Sequence, residues 1–140
     1  EGGGGGGPYY ANFFEWGGYD RTGQYEFTQR RPGFTHGSIH EMCVQYGVNI
    51  VFKGHDHLFH TGELNGVTYH TLPKPSLDTF GHDSHMAGER GFPQEETFLE
   101  NGYLRVKVTA SSATVTFTTW KGEVWDEYTV HSAKPKKKLA

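Results

Sequence analysis

Nine histidines stand in a chain of 140 residues, and two of them are spaced for chemistry. His55 and His57 flank Asp56 and follow Gly54, at the end of the short apolar run Val48-Asn49-Ile50-Val51-Phe52-Lys53. A neutral imidazole is a good ligand for zinc, iron, manganese or a similar ion. Two imidazoles on a loop leaving a strand can turn toward one point, and Gly54 permits a close backbone approach there. A His-x-His pair is by itself a weak signature that surface histidines share. Its setting strengthens it, because open α/β sheets place their chemistry where loops leave the carboxyl ends of rigid strands.

The other histidines carry less. His60 follows His57 by three residues and His70 lies across a hairpin, and both read as strand-surface residues before they read as supports for a ligand. His82 and His85 fall in a long polar loop, residues 77–98, that could lean over the site or stand in solvent. His36 and His40 flank the start of a helix.

The elements that must position these residues follow from pattern. The run from Val48 is rich in β-branched residues and too short for an ordinary helix, so it is expected to be a buried strand. Before it, Ser38-Ile39-His40-Glu41 has the capping-box pattern, Ile39, Met42, Cys43 and Tyr46 recur at helical spacing, and Gly47 sits where a left-handed residue ends a helix. Helix and strand together form half of an α/β unit, with Cys43 as a small buried hydrophobe. After His57, residues 58–64 and 67–72 flank Asn65-Gly66, the strongest short hairpin signal. The chain ends in a β-meander: Leu104, Val106 and Val108 point inward against Arg105 and Lys107, Val115 and Phe117 alternate with threonines, and residues 124–130 form a last strand. The fold class is therefore α/β in the broad sense (α+β), mostly β with long loops and one clear helix.

Composition bounds the rest. An apolar fraction of 34% makes a thin core for this length, and 15% aromatics with 20 glycines favours strands joined by elaborate loops over a helical bundle. Residues 1–8 form a glycine-rich loop or linker, since polyglycine costs ordering entropy and packs nothing. Residues 9–34 are aromatic-rich and nearly structureless, with most rings pinning the loop; Trp16 and Tyr19, beside Gly17-Gly18, are the candidates to line a cleft. Net charge is -3, and the dense basic run Lys134, Lys136, Lys137 and Lys138 lies in a disordered tail, residues 133–140. No polybasic face interleaved with aromatics argues for nucleic acid, and no apolar stretch is long enough for a spanning helix. One cysteine excludes an internal disulfide.

Gly54-His55-Asp56-His57 after a hydrophobic strand resembles the last signature block of the calcineurin-like metallophosphoesterases. Glu15-Trp16-Gly17-Gly18, Arg31-Pro32-Gly33-Phe34, Ile39-His40, Gly66-Val67-Thr68-Tyr69, Pro73-Lys74-Pro75-Ser76, Gly122-Glu123-Val124 and Tyr128-Thr129 are similar, in order, to one secreted bacterial branch. The resemblance implies a β-sandwich flanked by helices and a centre of two metal ions, iron, manganese or zinc, that hydrolyses phosphomonoesters or diesters with a metal-activated water. By resemblance His55 would bind the second metal and His57 the first, with Asp56 between them and no ligand, and His40 would orient the ligand strand. The family's remaining ligands come from blocks resembling Asp-x-His, Gly-Asp-x-x-Asp and Gly-Asn-His, which this sequence lacks. Residues 9–132 are therefore expected to be the C-terminal portion of such a domain, with the missing N-terminal half as partner, a phosphate ester as substrate, and no activity alone. Location would be secreted or periplasmic, although no signal segment is present. The competing expectation is a non-catalytic binding or structural module on the same scaffold. A third, a mononuclear site joining His82-Asp83-Ser84-His85 to the histidine turn, is also open.

Overall fold

The computed structural model describes residues 6–74, 91–93 and 97–132. The chain divides into two compact units, Glu1–Asn101 and Gly102–Ala140, each with its own three-stranded sheet. The architecture is mixed α+β, mostly strands with few helices. No helix among the described residues is long and apolar enough to cross a membrane.

In the first unit the segment before the strands is more ordered than its sequence suggests. A 3-10 turn at Pro8–Asn12 leads into two single-turn helices, α1 (Phe14–Gly17) and α2 (Phe27–Arg30). Rings do the pinning: Tyr9, Tyr10 and Phe13 meet edge to face, as do Tyr19 with Tyr25 and Phe27 with Phe34. The guanidinium of Arg31 donates two 2.7 Å hydrogen bonds to Glu15.

Helix α3 (Ile39–Gln45) starts as its sequence specifies, with Ser38 Oγ accepting from the Glu41 N–H and the Glu41 carboxylate accepting from the Ser38 N–H. Its packing face differs from the expected stripe. Ile39 and Tyr46 are exposed, Met42 and Cys43 are half-buried, and the residue turned fully inward is His40. The reason is a polar tie, described below, that an apolar periodicity cannot reveal.

Strands β1 (Ile50–Lys53), β2 (His60–Leu64) and β3 (Val67–Thr71) form a sheet in the order β1-β3-β2, with β1 parallel and β2 antiparallel to β3. The Asn65-Gly66 hairpin forms as expected, both residues at positive φ. The strand expected to be buried is corrected. β1 is an edge strand among the described residues, and Phe52 is 42% exposed, while the central β3 holds the fully buried positions Val67, Tyr69, His70 and Thr71. Within this sheet, among the described residues, β3 alone has a strand on each side. One face carries the core, where Ala11, Val67 and Tyr69 meet Trp16, Cys43, Val51 and Leu64. Leu58, Phe92 and Leu99 make a second cluster.

The second unit is the expected meander, β4 (Gly102–Val108), β5 (Ser112–Thr119) and β6 (Val124–His131). Val115 and Phe117 of β5 are fully buried. Val106 and Val108 share their face but stand 42% and 73% exposed, which corrects their inward reading. Opposite Val108 lies Ala113, too small to cover it.

Candidate functional site

β1 ends at Lys53, and within four residues the chain makes a turn that its residue types resist. His55 has φ of 78° and His57 φ of 57°. Such left-handed backbone costs an L-residue roughly 1–2 kcal/mol, and strain of this kind gathers at functional sites. Its effect is to send alternate side chains opposite ways. The His55 side chain is 54% exposed and His57 is exposed, whereas the Asp56 side chain between them is 0% exposed.

The buried carboxylate is held on several sides. Asp56 Oδ2 accepts from the Gly6 N–H at 2.8 Å and lies 3.3 Å from Lys53 Nζ, which also donates to the Gly6 carbonyl. Asp56 Oδ1 lies 3.5 Å from His55 Nδ1. Lys53 Nζ in turn stands 5.0 Å from the centre of the Phe92 ring, a cation–π contact. The glycine run expected as a linker therefore ends otherwise: Gly6 and Gly7 are buried. Their lack of side chains is what lets them reach the turn. A Cβ on Gly7 would lie 2.2 Å from the Gly91 carbonyl oxygen, against backbone that cannot yield. Polyglycine packs nothing through side chains, but here the backbone N–H of Gly6 reaches a carboxylate.

His60 and His70, expected on the surface, are buried at 1% and 0% exposure. His70 lies on the central strand, between the rings of Phe52 at 5.8 Å and Phe59 at 5.1 Å, and Thr61 Oγ1 is 3.2 Å from its Nδ1. Burial, with the charge of nearby His60 second, pushes its pKa down to about 4, so it is neutral at pH 7. The His60 ring packs on Phe92 at 5.2 Å.

Trp16, Tyr19 and His40 are brought elsewhere. Trp16 Nε1 donates to Tyr69 Oη at 3.0 Å, His40 Nδ1 lies 2.7 Å from the same oxygen, and Asn65 Nδ2 donates to His40 Nε2 at 3.1 Å. With Nε2 accepting, the proton of neutral His40 sits on Nδ1; burial lowers its pKa, partly countered by Glu41. This relay joins α3 to the hairpin end of the sheet, away from the histidine turn. Tyr19 is 39% exposed and meets Tyr25 edge to face. His82 and His85 lie outside the described residues.

Two exposed imidazoles suit the chemistry of iron, manganese or zinc and take up such an ion weakly, but they are too few to complete its coordination. Among the described residues no group of three or more His, Cys, Asp or Glu side chains comes together for a metal. The described residues therefore do not complete a two-metal centre. Sequence reasoning missed Lys53 and Gly6. The only signal for Lys53 was a lone cation closing an apolar run, three residues before an acid.

No family model and no curated protein matches the chain. Among solved structures it is similar to a conserved uncharacterized protein from Streptococcus pneumoniae, described as a predicted phosphoesterase, at 16% identity and a TM-score of 0.41, over 71% of this chain and 49% of that one. A single mutant of Vps29 from Entamoeba histolytica is also similar, at 16% identity and a TM-score of 0.38, over 66% of this chain and 44% of that one. The chain thus spans about half the length of the solved structures it matches.

Proposed function

We propose that this chain supplies His55 and His57 as ligands to a metal-dependent phosphoesterase centre whose remaining ligands come from outside the described residues. The observation that carries the reading is the turn itself: two histidines in left-handed backbone, turned out to solvent around an inward carboxylate at the tip of β1. Residues without a task at the strand tip would relax, or be replaced by glycine or asparagine. The order of sequence blocks around the turn supports phosphoester hydrolysis as the reaction. Among the described residues no strand lies on the outer side of β1, which supports a further chain segment beside it, because the edge of an apolar strand is a place for another to add. A secreted or periplasmic location belongs to the same reading.

The test uses the complete protein, assayed on phosphomonoesters and diesters with manganese, iron or zinc. Metal-dependent turnover lost in both His55→Ala and His57→Ala is expected. The absence of such turnover, or its persistence in both variants, would sink the reading. The lack of a third ligand among the described residues favours one alternative, a binding or structural module that keeps the scaffold without catalysis. That alternative predicts that the complete protein shows no metal-dependent turnover at all, and folds and binds its partners equally well without both histidines.

A further inference from the structure

The glycine-rich segment and the histidine turn meet through Asp56, and the contact is built rather than incidental. Gly6 approaches Asp56 from 50 residues away in sequence and gives it a 2.8 Å backbone hydrogen bond. Lys53 closes the loop by binding both the carboxylate and the Gly6 carbonyl. Phe92 lies over the ammonium, and Gly7 lies against Gly91 with no room for a methyl group. The glycine segment thus meets the one inward side chain of a turn whose other two side chains are exposed, and residues 91 and 92 back the glycine and the lysine that hold it.

We propose that Asp56, with Lys53 and Gly6, is a positioning residue: the latch of carboxylate, ammonium and glycine amide holds His55 and His57 in their left-handed conformations and fixes the direction of both imidazoles. The physical reason is that a strained backbone persists only where its surroundings over-determine it. Neither histidine side chain is buried enough to enforce that backbone, since both are exposed, and Gly54 imposes nothing. The inward carboxylate is a restraint of that kind, tied from outside the turn by the Gly6 N–H, and a charge-assisted bond to a backbone N–H is strong and directional. Gly6 and Gly7 then act in the site by shaping its ligands. The consequence for metal binding rests on the ligand reading of the two histidines; the conformational claim does not.

Two variants release the latch from opposite sides. Asp56→Asn keeps the side-chain shape and removes the charge, and Gly7→Ala expels the glycine segment without touching the turn. The first measurement is NMR without metal, on the whole chain. Loss of Gly6 amide protection against exchange, together with loss of the left-handed backbone chemical shifts of His55 and His57, is expected in both variants while the hairpin amides around Asn65 stay in place. If the Gly6 amide is released in either variant and both histidines keep their left-handed shifts, the proposal is overturned. Should Gly7→Ala fail to fold, Asp56→Asn decides alone. The second measurement titrates zinc alone into wild type and variants and follows the two imidazole signals. Weakening of roughly tenfold to a hundredfold is expected on losing the support of a ligand. Wild-type rings that ignore zinc would count against the ligand reading and leave the latch to the metal-free spectra.

Discussion

The sheet of the first unit has a tight turn at each end, and both use left-handed backbone. At the hairpin, Asn65 at φ of 50° and Gly66 at φ of 79° are residue types that adopt this conformation at little cost, and the turn's twist matches that of its strands. At the tip of β1 the same region is occupied by two histidines, side chains that make it more costly than glycine does. One turn follows the rules for its residues and the other breaks them, within the same sheet and a dozen residues. Where local preference and observed backbone disagree, something beyond the turn must hold it, and here that is a buried carboxylate with a lysine and a glycine amide.

The comparison breaks most directly at Asp56. Asp56→Ala leaves Lys53, whose side chain is 17% exposed, without its carboxylate, and removing one member of a buried pair costs about 3 kcal/mol or more. The drop is expected in the denaturant midpoint of the first unit.

Acid should act next, and on the sheet between the two turns. His70 is neutral in the fold with its pKa pushed down to about 4, while in the unfolded chain it titrates near the ordinary 6.5. The unfolded state therefore binds the extra proton between those values. Stability is fully present above pH 6.5 and is lost as pH falls toward 4, by up to about 3 kcal/mol. Denaturant melts at pH 7 and pH 4.5 check it, and His70→Phe, which keeps a ring between Phe52 and Phe59, should flatten much of the dependence.

How far the sequence carries depends on which force sets each feature. The hairpin and the capping box of α3 were legible because they are local: Asn65-Gly66, and Ser38 with Glu41, satisfy their own backbone within four residues. The meander was legible by alternation, but not the exposure of Val106 and Val108, which depends on what lies opposite them. His60 and His70 were misjudged because imidazole polarity says surface, whereas the aromatic rings around them and the central place of β3 say interior. The order β1-β3-β2 could not be read from the order of the strands in the chain, and so the buried strand was misassigned. At the site, the histidine pair was visible as a spacing, but its restraint was not. Gly6 and Asp56 are joined across 50 residues by a hydrogen bond that no periodicity records.

Gly66→Ala tests the compliant turn. At φ of 79° a methyl side chain is strained although nothing lies within 4 Å of it, so the cost is conformational alone and comes to about 1 kcal/mol in the denaturant midpoint. A near-zero change would mean that the hairpin tolerates strain as readily as the histidine turn does, and the contrast between them would fail.

The smallest effect has the opposite sign. His57→Gly removes the left-handed strain of about 1–2 kcal/mol, set against about 0.5–1 kcal/mol of extra freedom in the unfolded chain. A net gain in stability of about 0.7 kcal/mol, within a range of about 0–1.5, is expected, whereas Asn65→Gly relieves little backbone strain and loses the side-chain hydrogen bond to His40 Nε2, a net loss of about 1 kcal/mol. The gain at His57 should coincide with loss of zinc response at the remaining imidazole, since a lone histidine holds no ion. Denaturation midpoints for the two glycine variants, measured side by side, separate the explanations. A stabilising substitution at His57 alone marks strain kept for the sake of the ligand, and equal changes at both turns would mark ordinary backbone that the chain carries without purpose.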